Sequence, residues 1–168
     1  TAIYALLKGY VDMLDSSMSS NYLRLFEEEK NIQVLNVEGT STQTLVMNVN
    51  PQEQYKTAAR EILMNKDVRK AIALAINQEE LVSKVLNGAG STASAGLMLE
   101  SQTELYNPAS NILSGDYEER VQQANEILDQ IYPDEDSSGY RLANGKRISF
   151  EILANAGELE LVSFLQVQ

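Results

Sequence analysis

The sequence predicts a mixed α/β, helix-rich domain, and three observations carry that reading. Residues 65–90 read as two consecutive helices with their start and stop signals in place. Apolar stripes at helical spacing recur over residues 53–64 and 116–131. Short alternating runs at Ile32–Val37, Gln43–Val49 and Arg147–Leu153 have the period of strands. With 168 residues and 43% hydrophobic content, the chain is long enough for a single domain with a real core.

Taken in order, residues 1–30 are expected to be mostly helical. Ile3, Leu6, Leu7 and Tyr10 share one face, and a second helix runs from about Ser20 to Lys30 with Tyr22, Leu23 and Phe26 inward. The strands Ile32–Val37 and Gln43–Val49 follow, separated by Glu38-Gly39-Thr40-Ser41, and Pro51 ends the second. Tyr55, Ala58, Ala59, Ile62 and Leu63 form the buried side of a helix over 53–64. Asp67 is expected to cap the next helix, whose stripe is Val68, Ala71, Ile72, Ala75 and Ile76. Asn77, with Glu80 three residues on, is a capping-box pattern that restarts the helix. Leu81, Val82, Val85 and Leu86 continue the buried face until Gly88 stops it. Residues 88–113 are the longest irregular stretch, of the kind that is functional or flexible in compact domains. Asp116 to Ile131 is a helix with its own Asp-x-x-Glu cap; Pro133–Gly145 is a polar turn region; Arg147–Leu153 is a strand with Ile148, Phe150 and Ile152 on one side. A last helix starts at Gly157.

Composition removes several function classes. The net charge is −11 and the pI about 4.4, the reverse of the basic patch that nucleic acid requires and unfavourable for anionic membranes. No run approaches the ~20 apolar residues of a membrane-spanning helix. There is no cysteine and no histidine, so thiolate chemistry, Cys-based metal sites and the usual general base are all missing. No catalytic residue, metal ligand or cofactor is therefore assigned. A carboxylate pair remains chemically available, but nothing singles out two of the 24 acids.

The remaining motifs read mostly as structure. Asp134-Glu135-Asp136-Ser137-Ser138-Gly139 begins like a calcium loop, yet Gly145 stands where the bidentate Glu belongs, so it is taken as an acidic solvated turn. Glu27-Glu28-Glu29 is a solvated charge run at a helix end. Gly88-x-Gly90 follows a helix and lacks the strand and Lys of a phosphate loop; it is a helix stop and turn. Arg69 is expected in a structural ion pair with Asp67 or another acid. Thr40, Ser41, Thr42, Gln43 and Thr44 form a polar lead-in to a half-exposed strand. Asn155 is an Asx-type turn residue or the cap of the last helix.

The order of these pieces resembles the oligopeptide and dipeptide solute-binding proteins, the extracytoplasmic receptors of ABC importers. Asp67-Val68-Arg69-Lys70-Ala71-Ile72 through Ala75-Ile76-Asn77, then Leu81-Val82 and Gly88-Ala89-Gly90, is similar to that family's central segment. Leu45-Val46-Met47-Asn48-Val49-Asn50 resembles its strand ending in Asn. Asp116–Leu128 resembles a following helix, and Gly145–Leu153 the strand after it. The resemblance implies part of one lobe of a two-lobed, type II periplasmic-binding-protein-like fold. It implies that residues 1–168 are a single partial domain, an internal fragment of the second lobe, with a hinge-proximal strand at about 42–50. It further implies an oligopeptide ligand, ABC permease subunits as partners, no enzymatic activity, and an extracytoplasmic site at the cell surface or in the periplasm. Membrane association is then expected only through an N-terminal lipid anchor absent from this sequence. At matching positions Thr40, Thr42, Gln43, Thr44 and Asn155 are expected to face the ligand; Thr and Gln stand where several family members carry aromatics. Other cargo of the same family (a dipeptide, a peptide pheromone or a metal chelate) is the alternative. A His-free acidic hydrolase, such as a glycosidase, and a helical interaction scaffold are rivals from other classes.

Overall fold

A computed structural model describes residues 2–14, 22, 25–26, 28–35, 37, 39, 41–94, 98–100 and 102–168. Most of the expected helix over 20–30 lies outside these residues, and so does Thr40; within it Phe26 is buried and Tyr22 is exposed.

The first helix, α1 (Ala2–Leu7), is short and ends at Gly9, whose φ of +68° suits a residue without Cβ. Ile3 and Leu6 are half-buried, whereas Tyr10 lies exposed, edge-on to Tyr4. Helix α2 (Ala58–Met64) is capped by Thr57, whose hydroxyl accepts from Arg60 N at 3.0 Å. Residues 53–55 before it form only a 3₁₀ turn. Helix α3 (Lys66–Ala75) starts two residues earlier than an Asp67 cap requires: Asn65 Oδ1 accepts from Asp67 N at 2.9 Å. Helix α4 (Gln78–Glu80) is capped by Asn77, which accepts from Glu80 N at 3.0 Å. It widens into a π-helical turn, Leu81–Val85. Half of the expected capping box is present. The Asn77 N–H is taken by Gln168 Oε1 at 3.0 Å, because Glu80 is paired with Lys84. Helix α5 (Tyr117–Ile131) is the longest, with Asp116 Oδ1 accepting from Glu119 N at 2.8 Å.

The core lies between α3 and α5. Ala71, Leu74 and Ala124 are buried there, and Ala75, Leu113, Ile127 and Leu128 pack around them. Leu74 is 0% exposed and marks the centre of the α3 stripe. Ile72 and Ile76, expected on the buried stripe, are only half-buried. The expected phase is rotated toward Leu74 because α5, with Leu113 ahead of it, covers the Ala71–Leu74–Ala75 side.

Strands differ most from expectation. The described sheet is one hairpin, β1 (Leu142–Ala143) with β2 (Lys146–Arg147). Asn144 and Gly145 turn it, both with positive φ (52° and 73°), the requirement of a two-residue type I′ turn. The strands expected at Ile32–Val37 and Gln43–Val49 are not formed among the described residues. The one expected at Arg147–Leu153 keeps only its first residue in a ladder. A strand needs a partner for its backbone groups, and none lies beside these segments among the described residues. The last helix, α6 (Leu159–Leu165), packs on the π-helical turn. The accessible surface is 12685 Å², well above the roughly 8,200 Å² of a compact monomer of this mass.

Candidate functional site

The segment over residues 41–52 starts polar and ends locked. Its far end is fixed by a stair of side-chain bonds: Asn50 N donates to Asn48 Oδ1 at 3.1 Å, and Gln52 N to Asn50 Oδ1 at 3.0 Å. Arg60 on α2 then donates through Nη1 to Asn50 O at 2.7 Å and Gln52 O at 3.0 Å, clasping both sides of Pro51. Arg60 is 5% exposed, its Nε has no partner, and it makes no ion pair among the described residues. Carbonyl dipoles rather than a carboxylate therefore hold this buried charge. Sequence reasoning missed Arg60; its signal was a cation inside the apolar stripe of a helix, between Ala59 and Ile62.

At the free start of the segment, Thr42, Gln43 and Thr44 are exposed. Thr40 lies outside the described residues. Leu45, Val46 and Val49 expose apolar surface in the same run. Asn155 is exposed too, and its N–H donates to Glu158 Oε2 at 2.9 Å, so it acts as the cap of the turn leading into α6. No hydrogen bond or ion pair among the described residues joins Asn155 to Thr42–Thr44. The segment before it, residues 148–153, carries exposed Phe150, Ile152 and Leu153, the last 101% exposed. Two partly apolar segments without a ladder partner among the described residues thus carry or adjoin the candidate residues.

The Gly88 turn is fastened rather than open. Gly88, with φ +77°, donates to Val82 O at 2.9 Å, and Ala93 N donates to Gln78 Oε1 at 2.8 Å, drawing the following loop back to α4. Arg69 makes no ion pair among the described residues. It donates to Leu63 O at 2.7 Å and Met64 O at 3.0 Å, satisfying carbonyls at the end of α2. The buried cation with an acid partner is instead Arg120, 4% exposed, which reaches Glu79 Oε2 at 3.1 Å and Gly115 O at 3.0 Å. The Glu79 carboxyl sits below its ordinary range. A hydrogen bond from its own main-chain N–H is the main cause and Arg120 adds to it, against an opposing push from burial.

The acidic turn at 134–139 is consumed in structure. Partial burial pushes the Asp136 carboxyl up, but N–H groups of Ser138 and Tyr140 and the paired Arg147 outweigh it and hold it below the ordinary range. Arg141 pairs with Asp129 at 2.8 Å and Glu135 at 3.8 Å, fixing the hairpin to α5. In the loop, Tyr106 donates to Glu100 Oε1 at 3.0 Å, and burial followed by that carboxylate raises its phenol.

Among the described residues no group of three or more acids converges as a metal site, and no helix is long and apolar enough to cross a membrane. A shallow depression lies on the flank of α5, at Tyr117, Val121 and Asn125 with Glu118 and Glu126 beside them. Every lining residue comes from one helix, so it has no opposing wall and is remote in sequence from the candidate residues. Chemically, the arrangement offers polar side chains and unpaired backbone, which suits binding.

A family model described as bacterial extracellular solute-binding proteins, family 5 Middle, matches residues 1–166. No curated protein and no solved structure gives a significant match.

Proposed function

The chain belongs to the bacterial extracellular solute-binding proteins, family 5, and we propose that its cargo is an oligopeptide, held in a cleft between two lobes of which residues 1–168 form part of one. Membership makes it the substrate-binding component of a bacterial ABC importer. It works outside the cytoplasm, with permease subunits and a small ligand as partners, in a family that is generally non-enzymatic.

One observation carries the finer reading: the run 41–52 is exposed and without a strand partner among the described residues at its polar start, yet clasped by Arg60 at its end. A segment anchored to a helical block and free at its tip can offer main-chain groups to an extended peptide, with Thr42, Gln43 and Thr44 beside them, as in strand addition. Thr40 and Asn155 complete the proposed ligand-facing set. In this reading the two lobes close by hinge bending and expel water, and an N-terminal lipid anchor outside residues 1–168 holds the receptor at the membrane.

Calorimetry tests this. The full-length receptor is titrated with a random oligopeptide pool, a dipeptide pool and a metal chelate, and residues 1–168 alone with the first pool. Heat from the oligopeptide pool and the full-length receptor alone is expected. Gln43→Ala and Asn155→Ala are each expected to weaken binding several-fold, about 1 kcal/mol per lost hydrogen bond. Saturable binding by residues 1–168 alone, or binding indifferent to both substitutions, overturns the half-cleft reading. Heat from another cargo alone reassigns the ligand.

A further inference from the structure

Two Asn-Gly pairs occur in the chain, Asn87-Gly88 and Asn144-Gly145. Both hold left-handed backbone, with φ of 48° and 77° in the first and 52° and 73° in the second. Their surroundings differ. Gly88 donates its N–H to Val82 O at 2.9 Å, and Asn87 is half-buried at the end of the π-helical turn. Asn144 is exposed and makes no hydrogen bond, and the Gly145 N–H has no acceptor among the described residues. The ladder that holds the second turn is two residue pairs long, and so short a hairpin opens readily.

We propose that Asn144-Gly145 is a site of spontaneous self-modification, deamidating to aspartyl and isoaspartyl forms, while Asn87-Gly88 is protected by its fold. In a transient opening of the turn, the deprotonated Gly145 nitrogen attacks Asn144 Cγ. A C–N bond forms, the side-chain amide leaves as ammonia after taking up a proton, and a cyclic succinimide remains. Water then adds to one of its two carbonyl carbons. Cleavage at Cγ–N restores the normal backbone with Asp at 144. Cleavage at the main-chain carbonyl leaves Gly145 joined through the side chain, an isoaspartyl link. No electrons change hands and water is the only co-reactant. Glycine is the follower that permits the attack, since it puts no Cβ in the path. Nothing stands within 4 Å of where a Cβ would lie at either glycine, so local space does not separate the two sites and the hydrogen bonding of the N–H does. At Gly88 the attacking N–H must first be released from Val82 O.

Either product adds a negative charge to the turn of the hairpin whose Arg147 is paired with Asp136. The isoaspartyl form also inserts a methylene into a two-residue turn, which the register Leu142↔Arg147 and Ala143↔Lys146 cannot absorb. Ageing at this one position therefore loosens the hairpin that Arg141 ties to α5.

The test uses the chain as its own control. Residues 1–168 are incubated at mildly alkaline pH with and without concentrated urea. Peptide mapping by fragmentation that separates aspartyl from isoaspartyl residues then follows both sites. In buffer, conversion at position 144 should outpace that at 87 by about tenfold or more, as expected from the difference in local opening. In urea the ratio should fall close to one, because both sites are Asn-Gly. Amide exchange at Ile148, which donates to Arg141 O, should speed up in step with isoaspartyl formation. Equal rates in buffer, faster conversion at 87, or a ratio unchanged by urea each overturn the proposal.

Discussion

Leu74 is the most demanding position in this fold, and Leu74→Ala measures how much of the stability the α3–α5 contact carries. The side chain is 0% exposed, and its buried neighbours Ala71 and Ala124 are small. Alanines already let the two helices approach closely, so their backbones cannot move in to fill the space a shortened side chain leaves. The cavity should persist, and the cost should fall in the middle of the range for buried leucines, about 3–4 kcal/mol. For a chain of this size that is roughly a 6–16 °C fall in Tm. Leu153→Ala is the internal control: an exposed side chain should shift stability by no more than about 0.5 kcal/mol. Urea melts followed by far-UV circular dichroism give both values. A Leu74→Ala cost below about 1 kcal/mol would mean that α3 and α5 are not packed as described.

Two further outcomes follow from exposed chain and buried charge. Unpaired strand-like segments with outward Val46 (85% exposed) and Leu153 are pairing templates, so residues 1–168 should self-associate with rising concentration. Val46→Lys with Leu153→Lys should abolish that without loss of helix, and sedimentation showing a monomer at high concentration in the parent chain refutes it. Glu79→Gln should cost about 1–2 kcal/mol near pH 7, because Arg120 is left buried without its charged partner, the exposed side of the pair limiting the loss. Glu79 has a folded pKa below its unfolded value, so its contribution is present above about pH 4.3 and is lost as pH falls through the folded value. Parent and variant melts should converge in acid; a gap that stays constant down to pH 2 contradicts the pairing.

What could be read from the sequence divides along the range of the interactions involved. Helix α5 was legible because Asp116, Glu119 and the stripe through Ala124 and Leu128 all act within a few residues of one another. The α3 cap was off by two because Asn65 and Asp67 are both competent caps, and the choice between them turns on where α2 ends. Arg69 was expected to seek an acid. The carbonyls of Leu63 and Met64 lie nearer, a fact of helix-to-helix geometry that spacing does not encode. The hairpin had a local signal in Asn144-Gly145, but the alternation of Ile148, Phe150 and Ile152 runs past the ladder and drew the strand too long. The candidate site belongs to the non-local side of this division. Thr42, Gln43 and Thr44 stand on a segment without a partner strand among the described residues, and side chains along a strand alternate between two faces. Whatever chain pairs with residues 43–49 therefore decides whether Thr42 and Thr44 or Gln43 point to a ligand, since a slip of one residue exchanges the two faces. The clasp of Arg60 on Asn50 and Gln52 limits that slip from one end. Ligand recognition and strand register are in this way a single problem for this chain, and a substitution at Arg60 should disturb both together.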